Sequence, residues 1–370
     1  MLNALEVYIP LLTAVVRGVR GEERKVDISV LNGTEGEKGI EVQWTPTLSA
    51  RRILSSQRLK RGKGGRVSGK GLEFELAFVL STLGYVLVNI ARVRCLQTLY
   101  CVKTPTTEEK TGAISAAMKN LLLAAGVHKF LSEGSLLSLQ EAETTKVPIP
   151  DLDTSTQSAL MHLAMAEATL LAVLKDDAYL SACIQARNPH DKDWMVKSPD
   201  IPKVRALLFA RLCVRAAEYA ELAAAAVFAG GKESGVDEEV CGYMRVLGRV
   251  ARAKACRFFG IDAEMDGRVG EGIAWVRAGR GALGLKSELE GDSVEQKGKG
   301  RLGFSRLKRE WSERREERRV EKDAGAGISR AGEREAELDW GDDAGREEEG
   351  RVLDMLEEKW VKMNDTVCLC

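Results

Sequence analysis

The stretch Gly64-Gly65-Arg66-Val67-Ser68-Gly69-Lys70-Gly71 comes close to a phosphate-binding loop. In that motif, backbone N–H groups cradle phosphates, the lysine reaches the terminal ones, and a following Ser or Thr holds Mg²⁺. Here Gly71 occupies the hydroxyl position, and the basic run Gln57-Arg58-Leu59-Lys60-Arg61 stands where an apolar strand should lead in. The segment therefore reads as a basic, glycine-rich loop. It has the charge to touch nucleic acid or anionic lipid but no interleaved aromatics on which bases would stack. His128, His162 and His190 lie far apart, and none belongs to an H-E-x-x-H pair, so no zinc site is expected. The eight cysteines form no C-x-x-C pair, and no G-x-S-x-G elbow is present. The expectation is a protein without catalytic, metal or cofactor residues, working by binding.

Composition agrees with that expectation. Lys plus Arg and Asp plus Glu each number 55, so net charge favours neither nucleic acid nor an acidic partner. With 44% hydrophobic and 30% charged residues, a chain of 370 residues can bury a full core. Most cysteines sit in apolar helical stretches and read as free thiols of a reducing compartment. Leu2–Val16 is interrupted by Asn3, Glu6 and Pro10 and lacks a basic leader, unlike a signal peptide. The apolar run Leu76–Ile90 is shorter than the roughly 20 residues that span a bilayer and contains Ser81, Thr82 and Asn89; a buried core helix is expected. Cys368-Leu369-Cys370 has the C-x-C form that receives prenyl groups in small GTPases, with nothing else of a GTPase around it.

The elements that must carry any binding surface are helical. Periodicity predicts helices at Leu2–Arg20, Leu72–Leu99, Thr107–Leu131, Ser155–Ala186, Pro202–Ala229, Glu238–Phe259, Gly270–Leu283, Leu302–Lys322 and Arg346–Asn364. Alternation at Asp27–Leu31 and Ile40–Trp44, with Asn32-Gly33 between, predicts a small β-hairpin near the N-terminus. Ser49–Gly71, Leu283–Gly303 and Asp323–Gly350 read as disordered loops, poor in large apolar residues. In Leu302–Lys322 the pairs Arg309/Glu313 and Glu310/Arg314 support an exposed helix anchored by Leu302, Phe304, Leu307 and Trp311. Length allows one large domain or two smaller ones, and long helices with mostly short connections suggest an elongated TPR-like solenoid of helical hairpins.

Two helices are apolar on more than one side. Ser155–Ala186 carries one stripe of Leu160, Leu163, Leu170, Leu171 and Leu174 and another of Met161, Met165, Ala168 and Ala172. Pro202–Ala229 carries Val204, Leu208, Leu212, Ala216 and Tyr219 on one face, with Phe209, Cys213, Ala217 and Ala220 on another. A surface helix needs only one stripe. The second is either buried between two neighbours or left over as a groove for an amphipathic helix.

At these helices the chain resembles a known family. Ala159-Leu160-Met161-His162-Leu163-Ala164-Met165-Ala166-Glu167-Ala168-Thr169-Leu170-Leu171-Ala172-Val173-Leu174-Lys175 is similar to the matching helix of BRO domains, the boomerang-shaped helical domains of the Alix/PalA class. Within that class it looks most like the fungal pH-response regulators. Supporting stretches follow in family order: Asp191–Lys197, Pro199–Ala206, Lys254–Glu264, Gly270–Trp275, Trp311–Glu316 and Lys359–Thr366. The resemblance covers nearly the whole chain. In the family, strands and a helix precede the segment similar to Leu2–Arg20, and the tail continues past the pair matching Asn364-Asp365. A chain starting within that region leaves neighbouring apolar surface uncovered.

The resemblance implies a non-enzymatic adaptor without cofactors. It implies a bridge from a plasma-membrane alkaline-pH sensor to the endosomal sorting machinery, bringing a calpain-like protease to the transcription factor it processes. The implied direct partner is the C-terminal amphipathic helix of the ESCRT-III filament subunit. It also implies a cytoplasmic protein recruited to cortical plasma-membrane or endosomal sites, with membrane association through partners and no nucleic acid. Matching helix to helix places the family's partner-binding patch at Leu170, Leu208 and Leu212, the last two reached across an insertion at roughly Ala178–Pro202. The competing reading is a general helical scaffold for another peptide, or for an anionic membrane surface through Arg51–Lys70.

Overall fold

The computed structural model describes residues 1–19, 41–49, 66–99, 105–134, 149–180, 203–229, 235–285 and 344–367. They lie in one compact unit, Met1–Leu285 with Gly341–Cys370; a second unit, Lys286–Trp340, lies outside the described residues. The predicted strand Asp27–Leu31, the predicted helix Leu302–Lys322, residues 51–65 of the basic loop and the Cys368-Leu369-Cys370 tail are also outside them.

The fold is mostly α with one small antiparallel β-pair. The order is α1 (Leu2–Val19), β1 (Glu41–Trp44), β2 (Val67–Lys70), α2 (Leu72–Leu99), α3 (Thr107–Glu133), a 3₁₀ turn at Pro150–Leu152, α4 (Thr154–Leu174), α5 (Lys203–Ala229), α6 (Glu238–Met265), α7 (Val269–Leu283) and α8 (Arg346–Val367). From α2 onward each helix packs against the next, with α8 on both α7 and α6 and α1 on α2.

A small antiparallel β-pair lies near the N-terminus as expected, and the expected strand at 40–44 is part of it. The partner of β1 is Val67–Lys70, in the register Glu41↔Lys70, Val42↔Gly69, Gln43↔Ser68 and Trp44↔Val67. So the segment read as loop from Ser49 to Gly71 ends in a strand. The phosphate-loop look-alike is thereby accounted for: its last residues lie in a β-ladder. The reason for the pairing lies in α2. A Cβ on Gly69 would sit 2.3 Å from the ring of Phe74, so only glycine lets the strand lie there. Trp44 stacks on Phe78, with centroids 5.7 Å apart. Gly71, at φ +86°, turns the chain straight from β2 into α2.

Local chemistry fixes several helix starts. Thr106 and Glu109 form a capping box on α3, and Asp153 caps α4 through the Thr156 N–H at 2.7 Å. Among the described residues two helices, α2 and α4, are long and apolar enough to cross a membrane, yet much of each is buried against other helices. Glycines permit close approach at the α6–α7–α8 contact: a Cβ on Gly260 would meet Trp360 at 3.0 Å, and one on Gly272 would meet the Gly260 carbonyl at 3.1 Å.

Buried polar groups lock the segments together. The Asp151 carboxylate accepts from the backbone N–H of Thr47 at 3.0 Å, that of Leu48 at 3.3 Å and the Tyr85 hydroxyl at 3.1 Å. Its carbonyl accepts from Ser81 and from the Gln157 amide. Gln157 in turn accepts from His128 Nδ1 at 2.7 Å. This chain joins the segment after β1 to α2, α3 and α4, since each buried polar group needs a partner.

Candidate protein-binding surface

The α4–α5 contact is built on small residues. Ala159, Leu163 and Ala166 of α4 share a buried cluster with Ala220, Ala223 and Val227 of α5 and with Met244 and Leu247 of α6. Alanines let the backbones approach closely, so larger side chains at the cluster edge emerge towards the surface. Leu170 is one of these. It is half-buried and packs against Ala216, Ala217 and Ala251. Eight residues earlier on α4, His162 stacks on Tyr219 at 6.0 Å, so the two helices run antiparallel.

The two stripes of α5 separate as the spacing predicts, with one exception. Phe209, Cys213, Ala217 and Ala220 are buried, Leu208 is 53% exposed, and Leu212 and Tyr219 are half-buried. Ala216, on the same stripe as Leu208 and Leu212, is buried instead, where α5 meets Leu170 of α4 and Ala251 of α6. Val204 lies where no side chain is described. On α4, Met161, Met165 and Ala172 of the second stripe are half-buried while Ala168 is buried. Leu208 and Leu212, one turn apart, thus share an accessible face of α5, and Leu170 sits in the neighbouring α4–α5 seam.

Charged groups border this apolar surface. Arg215 lies over the Tyr219 ring at 4.4 Å and pairs with Glu218 at 2.7 Å. Burial, with the nearby Arg215 charge, holds the His162 imidazole below its usual pKa, which favours the uncharged ring beside Tyr219. Two buried thiols are poor nucleophiles: burial pushes Cys213 up to about 12 and Cys95 up to about 11. Among the described residues, no three His, Cys, Asp or Glu side chains converge as a metal site would require. The surface presents leucines, methionines and a stacked His–Tyr pair, which suit an apolar helix face rather than a small polar substrate.

Sequence reasoning missed two charge clusters, one buried and one partly buried. Arg257 of α6, fully buried, forks onto Asp177 at 3.1 and 2.5 Å and donates to Glu349 of α8 at 2.6 Å; Lys254 reaches Glu349 at 2.7 Å. Burial pushes the Asp177 carboxyl up, but the Arg257 guanidinium outweighs it and holds the group below the usual carboxylate range. The second cluster joins Arg92 of α2, Glu167 of α4 and Tyr243 of α6. The available signal was a charge on an apolar helix face: Arg257 between Ala253 and Ile261, Glu167 between Ala166 and Ala168.

No protein-family model matches the chain. The pH-response regulator protein palC of Emericella nidulans is 51% identical over 374 residues, covering 99% of this chain and 72% of that protein. The chain belongs to the palC family of pH-response regulators. Two solved structures also align with this palC-family chain. One, described as an ALIX BRO1 CHMP4C complex, is 17% identical at a TM-score of 0.49, covering 75% of this chain and 63% of that one. The other, described as a structural basis for endosomal targeting by the Bro1 domain, is 16% identical at a TM-score of 0.38, covering 82% and 71%. The chain therefore spans less than two thirds of the ALIX chain.

Proposed function

We propose that this palC-family chain is a non-catalytic adaptor of the alkaline-pH response. It links a plasma-membrane pH sensor to ESCRT-III by capturing the C-terminal amphipathic helix of the filament subunit, and so promotes proteolytic activation of a pH-responsive transcription factor by a calpain-like protease. It acts in the cytoplasm, recruited through partners to cortical plasma-membrane or endosomal sites, without a cofactor. The observation that carries this reading is the accessible leucine pair Leu208 and Leu212 on α5, beside Leu170, in a chain half identical to a pH-response regulator. Leucines one turn apart in a shallow seam suit the i, i+3, i+4 anchors of an amphipathic helix. Membership of the regulator family supports a role for the chain in the pH response.

The test is fluorescence anisotropy with a labelled C-terminal peptide of the ESCRT-III filament subunit. Leu208 is exposed, so Leu208→Asp is expected to leave the thermal melt unchanged. It should weaken binding by about 2 kcal/mol, roughly 30-fold, as for a central contact. Leu170→Asp is expected to abolish binding and also to lower the melting temperature, because the carboxylate lands against Ala216 and Ala217. Full affinity in both Leu208→Asp and Leu212→Asp would sink the assignment.

A further inference from the structure

The outer face of α3 carries a second apolar surface, away from Leu170, Leu208 and Leu212. Leu122, Leu123 and Phe130 are 49%, 50% and 58% exposed. Gly126 lies between them, exposed, and a Cβ built on it meets nothing within 4 Å. Helical spacing puts Lys119, Leu122, Leu123, Gly126, Phe130 and Glu133 on this one face. Exposed apolar side chains clustered this way, with charge at both ends, mark an interaction site rather than scattered surface leucines.

The pattern is symmetric about Gly126. Two antiparallel α3 helices related by a two-fold axis at Gly126 bring each position opposite the one equally far on the other side. Phe130 and Leu122 are each four residues from Gly126, so each phenyl ring meets the partner copy's leucine. Lys119 and Glu133 are each seven residues from it, so the ends close with opposite charges, twice. Leu123 falls opposite Lys129, whose aliphatic stem covers it. Lys129 already lies 3.9 Å from Glu133 across one turn, a loose exposed pair that leaves Glu133 able to exchange partners. Glycine on the axis lets the backbones come close enough for these contacts. We propose that α3 is a self-association surface, and that two copies of this chain pair through it, antiparallel, about Gly126.

A single-helix contact buries less than the about 1,200 Å² of an ordinary specific interface, so the dimer is weak and concentration-dependent. Sedimentation velocity of the full chain from about 1 µM to about 500 µM brackets such an interface. The expected result is a shift from one chain's mass towards two. Gly126→Gln is expected to keep the protein monomeric throughout without lowering its melting temperature, since that position is open and helical. Lys119→Glu and Glu133→Lys each place like charges opposite one another and should abolish the shift; the double variant Lys119→Glu/Glu133→Lys should restore it. That rescue distinguishes pairing in this register from a general loss of solubility. A monomer at every concentration overturns the proposal. So does a dimer indifferent to Gly126→Gln, or one that the double reversal fails to recover.

Discussion

His128 shows how one residue couples packing to pH. Its Nδ1 donates to Gln157, so Nε2 carries no proton, has no partner and faces Gly84. A Cβ on Gly84 would come within 2.5 Å of the ring, so glycine makes room for the imidazole. Burial, only partly offset by the Gln157 hydrogen bond, holds the imidazole pKa down to about 4. The folded pKa lies below the unfolded one, so the unfolded chain binds the proton first. Stability is full above the ordinary histidine range near 6.5 and declines as pH falls towards 4, by about 3 kcal/mol at most from this group. Urea unfolding at pH 7.5 and pH 5 is expected to show this loss, and His128→Gln should reduce the difference between the two. An undiminished pH slope in the variant would assign the effect to other groups.

At the scale of elements, the sequence located helices better than their ends or partners. Leu72–Leu99 is observed as expected, and the capping Thr106 marks the start of α3. The helix expected to run from Ser155 to Ala186 is interrupted after Leu174, where Asp177 leaves the helical path to meet Arg257 and accept from the Leu180 N–H at 3.0 Å; residues 178–180 are helical again, and 181–186 lie outside the described residues. No local pattern could show a partner 80 residues away. The helix expected to end at Phe259 runs to Met265: Gly260 looks like a terminator but is a contact point under Trp360. The helix expected at Arg346–Asn364 starts at Arg346 as the periodicity predicts and runs on to Val367, so the loop reading of Asp323–Gly350 overran the helix start. Spacing placed the leucines of the candidate surface on apolar stripes, and the family resemblance singled out Leu170, Leu208 and Leu212; that Leu170 rests on Ala216, Ala217 and Ala251 was not legible, since alanine carries no positional signal.

The same Glu349 supplies a test at this scale. It pairs with Lys254 at 2.7 Å and shares Arg257 with Asp177, so two cations of α6 lean on this one carboxylate of α8. Glu349→Gln leaves more buried positive charge than Asp177 can neutralise and is expected to cost about 3–5 kcal/mol in chemical unfolding. The exposed pair Lys362–Glu358, on the same helix at 2.6 Å, is the control. Glu358→Gln should leave the unfolding midpoint where it is, because water and salt screen that pair. Equal effects of the two substitutions would refute the role given to burial.

At the scale of the whole described unit, helices packed mainly on their sequence neighbours behave as a nearly one-dimensional stack, in which distant parts can open separately. The contact among Arg92, Glu167 and Tyr243 works against this. One Glu167 oxygen accepts from Arg92 at 2.5 Å and from Tyr243 at 2.8 Å, while the guanidinium lies over the tyrosine ring at 5.1 Å. Three helices that are not sequence neighbours, α2, α4 and α6, are tied through one largely buried carboxylate. Arg92 remains partly solvated, so removing Glu167 costs less than breaking a fully buried pair, about 2 kcal/mol. The larger consequence is for cooperativity. In the native protein, the slowest amides of α2 and α6 are expected to exchange hydrogen at one common free energy, because the tie makes them open together. In Glu167→Ala the two sets should part, with one helix exchanging through a lower-energy local opening while the other keeps its protection. A uniform drop across α2, α4 and α6 would mean that packing alone couples the stack and that Glu167 contributes only to its total stability.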